Sequence, residues 1–182
     1  MLVGIVANAA SINWTMSNAY QPGSTENRIA SGSGLVYFFC AEDVTSASIN
    51  SILSDTTTSL ADKKNALAAQ SIGSSAMTGA GRIATSTEWN KAAGSYTFYS
   101  LIFADNAVAE GGKYILTAAT SPVGWDNSAD TQVGLGNQKT LTQDLNNWSS
   151  VATQATTDVP EPTSGLLLLV GVAGLALLRR RA

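Results

Sequence analysis

Residues 165–178, GLLLLVGVAGLALL, contain no charged side chain and run directly into Arg179, Arg180 and Arg181. As a helix this stretch is about 21 Å long at 1.5 Å per residue. That is short of the ~20 residues of a comfortable bilayer crossing. Thr163 and Ser164 lengthen it on one side, and the arginines can snorkel to headgroups on the other. A core helix fits poorly, because the run is apolar all round and closes in three charges. The pattern therefore predicts a transmembrane helix over 163–178 with a basic stop at 179–181. Arginines just beyond the apolar run place that end in the cytoplasm by the positive-inside rule, and the preceding residues outside.

Electrostatics and composition then narrow what those preceding residues do. Charged residues make up only 13% of the 182, about half the usual share. Up to residue 160 there are seven basic side chains against twelve acidic ones, and the basic ones are scattered. Such a body lacks the clustered Lys and Arg that nucleic acid requires, so no nucleic-acid partner is expected. Lys63 and Lys64 are the adjacent pair in this set, and they read as a solvated helix face. The chain has no histidine, which removes the commonest general base, the usual zinc ligand and any Ser-His-Asp arrangement. Cys40 is the only cysteine. It has no disulfide partner within the chain, and in the apolar setting LVYFFC it reads as a small core residue rather than a reactive thiol.

The N-terminal residues MLVGIVANAA place small side chains, Ala7 and Ala9, at the −3 and −1 positions of a secretory cleavage site, with Ala10 as the new first residue. The apolar stretch ahead of it is half a normal length and lacks a basic start. Residues 1–9 are therefore read as a truncated or incomplete signal peptide, in preference to a first strand, with Met1 internal to a longer leader. Export through the Sec machinery follows from that reading.

The tail carries a more specific message. Val159, Pro160, Glu161 and Pro162 precede the apolar run, and the arginines follow it. This order of parts resembles the PEP-CTERM sorting signal of Gram-negative bacteria, over 159–182 alone. The resemblance implies transient retention in the inner membrane and recognition by an exosortase, a membrane transpeptidase with a catalytic cysteine. Cleavage near the motif would then release the body to the cell surface or extracellular matrix. Proteins of this kind occur in bacteria that make exopolysaccharide, biofilm or flocs. The physics is consistent, since two prolines keep the peptide extended and stop a helix from growing back into it. A permanent single-pass anchor is the alternative fate of the tail.

Residues 10–152 are expected to form a mainly β, single β-sandwich-like extracytoplasmic domain, joined to the tail by a linker at 153–158. The strongest strand signals are LVYFF (residues 35–39) and SYTFYSLIFAD (residues 95–105), followed by KYILTAAT (residues 113–120). The last two are predicted to pair antiparallel. ASINWTMS, GRIATSTEW and TQVGLG add further strands. A two-helix insertion is predicted over about 43–73. Val44, Ile49, Ile52 and Leu53 follow helical spacing in its first half. Ser59 and Asp62 form a capping box ahead of Leu60, Leu67 and Ile72 in the second.

Three constellations could carry chemistry. Asp126, Asn127 and Asp130 offer oxygen ligands of the kind calcium takes, but lack EF-hand spacing and its closing Glu. A polar turn is the expected reading, and no metal or other cofactor is expected. Trp14, Trp89, Trp125 and Trp148 could form a carbohydrate-stacking platform if exposed, although packing is the expected role of Trp89 and Trp125. Glu42 and Asp43 are adjacent carboxylates without support for glycosidase geometry. The chain therefore reads as a non-enzymatic surface or matrix protein of structural or adhesive role, with extracellular polysaccharide as a candidate partner. The alternative is a glycan-binding module using exposed tryptophans, with calcium as an added ligand.

Overall fold

Two central strands organise the molecule, whose computed structural model describes residues 10–155. In chain order the elements are β1 (Ser11–Ser17), β2 (Leu35–Cys40), α1 (Ser46–Ser54), α2 (Leu60–Gln70), β3 (Gly73–Ala76), β4 (Ile83–Glu88) and β5 (Gly94–Tyr96). They continue with β6 (Phe98–Phe103), β7 (Lys113–Leu116), β8 (Val123–Trp125), β9 (Thr131–Asn137), α3 (Lys139–Gln143), a 3-10 turn (Leu145–Asn147) and β10 (Ser149–Ser150). A five-stranded antiparallel sheet has the order β10-β7-β6-β2-β3, a three-stranded sheet has the order β4-β1-β9, and β5 and β8 form a separate ribbon. The fold is thus mainly β with three short helices among the described residues.

β2 and β6 pair from Leu35↔Phe103 to Cys40↔Phe98. Nearly every residue of both strands is buried. This explains why LVYFF and FYSLIF are continuous apolar runs instead of alternating ones, since a strand covered on both faces has no polar side. Val36, Phe38, Phe98 and Ile102 meet Ile12, Trp14, Met16, Val133 and Leu135 of the three-stranded sheet in one cluster. Trp14 stacks on Phe38 at 4.9 Å, and Phe38 on Phe98 at 5.2 Å. On the opposite face Tyr37, Phe39, Tyr99, Leu101 and Phe103 pack against Ile49, Leu53 and Leu67 of the helices. The sandwich expected from the sequence is therefore two layers of a three-layer arrangement. The expected two-helix insertion is present as α1 and α2 and forms the third layer.

The helix signals translate directly into caps. The Thr45 side chain accepts from Ser48 N–H at the start of α1. Val44 and Ile49, the residues flanking that cap, both join the helix-side cluster, the arrangement of a hydrophobic staple. Ser59 accepts from Asp62 N–H and donates to its carboxylate at 2.6 Å. Both helices are too short to persist alone and depend on the sheet they cover.

Several expectations need correction. SYTFYSLIFAD is not one strand. At Thr97 the N–H and hydroxyl both turn to the Glu42 carboxylate at 2.9 Å, so β5 leaves to pair with β8. KYILTAAT pairs with β6 as predicted but remains a strand only to Leu116. Beyond it the hydroxyls of Thr117 and Thr120 accept from Ser100 and Phe98 N–H, taking the place of ladder bonds. Lys63 is not on a solvated face, being only 1% exposed. The pair β1–β9 is parallel and joins the two ends of the described chain, a connection the strand signals alone did not indicate. No helix among the described residues is long and apolar enough to cross a membrane. The helix predicted at 163–178, the basic stop and the signal peptide at 1–9 lie outside the described residues.

Candidate functional sites

The chain leaves the body along a strap that is pinned residue by residue. Val151 exchanges hydrogen bonds with the 111–112 turn: Gly111 N–H donates to Val151 O at 2.9 Å, and Val151 N–H donates to Gly112 O at 3.0 Å. Ala152 N–H then donates to Leu53 O, and Ala155 N–H to Thr56 O, both at 2.8 Å. Gln154 bridges the same two turns, donating from its N–H to Glu110 at 3.3 Å and from its amide to Thr57 O at 3.5 Å.

Lys63 completes the clamp. Its ammonium donates to Ala152 O at 2.7 Å and to Leu53 O at 3.4 Å. Leu53 lies at the C-terminal end of α1, where exposed carbonyls favour a cation. A buried charge is tolerated where it is hydrogen-bonded, and here backbone carbonyls replace the usual carboxylate. Spacing along α2 could not reveal this, because the acceptors come from α1 and from a segment 89 residues downstream. Beside the clamp, Asp55 accepts from the Thr58 and Thr57 hydroxyls and from Thr57 N–H. The Thr58 bond first, then those from Thr57, hold its carboxyl down at about 2.

A second cluster lies at the Cys40 end of the central strands. Lys91 forms an ion pair with Asp43, and its ammonium lies 4.8 Å from the Tyr96 ring centre and 5.6 Å from that of Trp89. Cys40 Sγ is 3.6 Å from the same ammonium and 3.2 Å from Glu42 Oε2. Burial, followed by the bond to Glu42, pushes the thiol up to about 11. For Glu42, burial works to raise the carboxyl, but donors from Thr97 and Cys40 outweigh it and leave it lowered. The cluster thus holds a protonated thiol, a paired ammonium and a saturated carboxylate at neutral pH. Its evident work is to tie the ribbon to β2.

The tryptophans do not form a platform. Trp14, Trp125 and Trp148 are buried, and Trp89 is half-buried between Tyr96, Phe98 and Trp125 at 5.1, 5.5 and 4.9 Å. The buried indoles also have their N–H groups engaged, Trp125 with Lys91 O and Asn127, and Trp148 with Thr142 O. The three calcium candidates are spent on local structure. Asp126 caps a turn at Ser128 N–H, Asn127 accepts from Trp125, and Asp130 accepts from Ser11 N–H. Ala10 is buried in the inter-sheet core and accepts from Trp89 N–H, while Ala7 and Ala9 lie outside the described residues.

What remains open to solvent is the outer face of the three-stranded sheet. Register places Asn13 between Ser86 and Gln132, and Thr15 between Ala84 and Gly134. These two rows carry hydroxyl and amide groups without a charge, and the next row of the same face pairs Ser11 with the exposed Glu88. Along the β9 border the face runs into a shallow groove of about 510 Å³, lined by Thr120, Ser121, Pro122, Gly136 and Asn137 among others, none of them charged.

Comparison with known proteins adds one finding. Residues 158–181 match the PEP-CTERM protein-sorting motif, which includes Val159, Pro160, Glu161, Pro162 and the three arginines. The tail is therefore a sorting signal of that class. It marks a protein that is exported, sorted at the membrane through an exosortase and passed to the cell surface. No curated protein and no solved structure matches the chain.

Proposed function

We propose that this protein is a non-enzymatic component of the bacterial surface or extracellular matrix, delivered by its tail and acting through the polar outer face of its three-stranded sheet. In this reading Sec exports the chain from a signal peptide at its start. The tail holds it in the inner membrane with Arg179, Arg180 and Arg181 in the cytoplasm, and the exosortase then cuts near Pro160-Glu161-Pro162. The released body binds extracellular polysaccharide in a structural or adhesive role.

The observation that carries the adhesive part is the uncharged row Ser86, Asn13 and Gln132 with its bordering groove. Hydroxyls and amides both donate and accept, which suits a polyhydroxylated ligand. The two rows themselves carry no charge to desolvate, and Glu88 borders them opposite Ser11. The non-enzymatic part is supported by the lack of histidine, by the bonds from Cys40 and Thr97 that occupy Glu42, and by the ion pair between Lys91 and Asp43.

The test is cosedimentation of the mature protein with matrix polysaccharide from the producing cells, together with mass spectrometry of its C-terminus. Thr15→Lys with Gln132→Lys should cut the bound fraction at least fivefold without changing the melting temperature. Equal binding by the variant would overturn the sheet-face reading. Arg179, Arg180 and Arg181 still present on surface-located protein would overturn cleavage.

A further inference from the structure

The pinned strap sets a short leash on the sorting motif. Ala155 is still hydrogen-bonded to Thr56, and only residues 156–158 separate it from Val159. Whatever their conformation, Ala155 and Val159 can be at most about 14 Å apart, and Ala155 and Pro162 about 25 Å. A body of this length has a radius of gyration of about 15 Å. A protein that grips Pro160-Glu161-Pro162 at the membrane therefore cannot avoid the body, because the reach of the tether is no larger than the body itself.

The fold also decides which part of the body is met. Residues 151–155 run between the Thr56–Thr57 turn, which joins α1 to α2, and the 109–112 turn, which joins β6 to β7. The second turn follows Phe103, which pairs with Leu35, so it lies at the Leu35 end of the five-stranded sheet. The ribbon and the Lys91 cluster lie at the Cys40 end, where Cys40 pairs with Phe98. Thr56, Thr57, Ala109 and Glu110 are exposed around the exit point.

We propose that this exit end, formed by the 56–57 and 109–112 turns, is a docking surface for the exosortase while the tail is still attached. The folded body is then part of the substrate, and the pinned strap fixes its orientation over the cleavage peptide. This inference rests on reading the tail as an exosortase substrate.

The test follows tail removal by pulse-chase in cells that contain the exosortase, using the full chain. Thr56→Arg with Ala109→Arg places two bulky cations beside the exit point without touching the strap's hydrogen-bonding side chains. It should slow removal at least fivefold. Ala93→Arg, exposed at the opposite end, should leave the rate within twofold of the unmodified chain. Inserting twelve Gly and Ser residues after Thr157 adds roughly 18 Å of mean reach. That insertion should restore the double variant to near the normal rate.

Normal processing of the double variant without the insertion would overturn the proposal. Slow processing that the insertion fails to relieve would also overturn it, because the defect would then lie in folding or export. A tail that stays on the unmodified protein would overturn the sorting reading itself, and this inference with it.

Discussion

The two faces of the five-stranded sheet are built from the same two strands but serve different ends. On one side Trp14, Phe38 and Phe98 stack between the sheets among aliphatic side chains and further aromatics, including Trp89 and Trp125. On the other side Phe39 stacks on Tyr99 at 5.2 Å, but the layer also carries polar groups. Tyr99 donates to Val44 O at 2.9 Å, and burial pushes its hydroxyl up to about 12. Lys63 donates to the exit strap. The inter-sheet side mainly joins the two sheets by packing. The helix side also anchors connecting segments, including the one that leads to the sorting motif.

The sharpest test of this contrast is Trp14→Ala. It removes the indole that bridges the two sheets, and large aromatic truncations in a core cost about 3–5 kcal/mol. Urea unfolding should show a loss of this size. A loss below 1 kcal/mol would mean that the inter-sheet side does not carry the fold.

Lys63→Met should do something different on the other face. Leu53 O keeps its bond from Ala152 N–H, whereas Ala152 O loses the Lys63 donor. Leaving one buried carbonyl unpaired costs about 1–3 kcal/mol. The effect should be local, and hydrogen exchange should speed up at Ala152 and Ala155 by at least tenfold while β2 and β6 stay protected. Uniform acceleration across the sheet would erase the distinction between an anchoring face and a load-sharing one.

The smallest effect belongs to Ser100. It lies on the inter-sheet side with Phe98 and Ile102, is fully buried, and its hydroxyl has no hydrogen-bond partner. Ser100→Ala removes that unsatisfied group and should stabilise the protein by about 0.5–1 kcal/mol. A clear loss on thermal melting would show that the hydroxyl has a role that its static surroundings do not reveal.

Much of this was legible in the chain because it rested on local signals. The Ser59–Asp62 cap, the runs at 35–39 and 98–103, and the strands at Ser11–Ser17 and Thr131–Asn137 each appear in a few consecutive residues. The errors arose where a distant partner intervened. Glu42 broke the strand at Thr97 from 55 residues away, and Ala152 drew Lys63 inside from 89 residues away. Trp89 and Trp125 pack as expected, but sequence left the platform open as an alternative, since an indole looks alike whether it stacks on a sugar or on Phe38.

The sorting tail is the element that sequence alone determined. Its motif is a matter of residue order and spacing in one short segment, so it shows in consecutive residues. Tertiary structure decided what the body offers: which face of the three-stranded sheet stays open, where Lys63 finds its carbonyls, and at which end the chain departs. These depend on burial, which is a property of what packs against a residue and not of the residue itself.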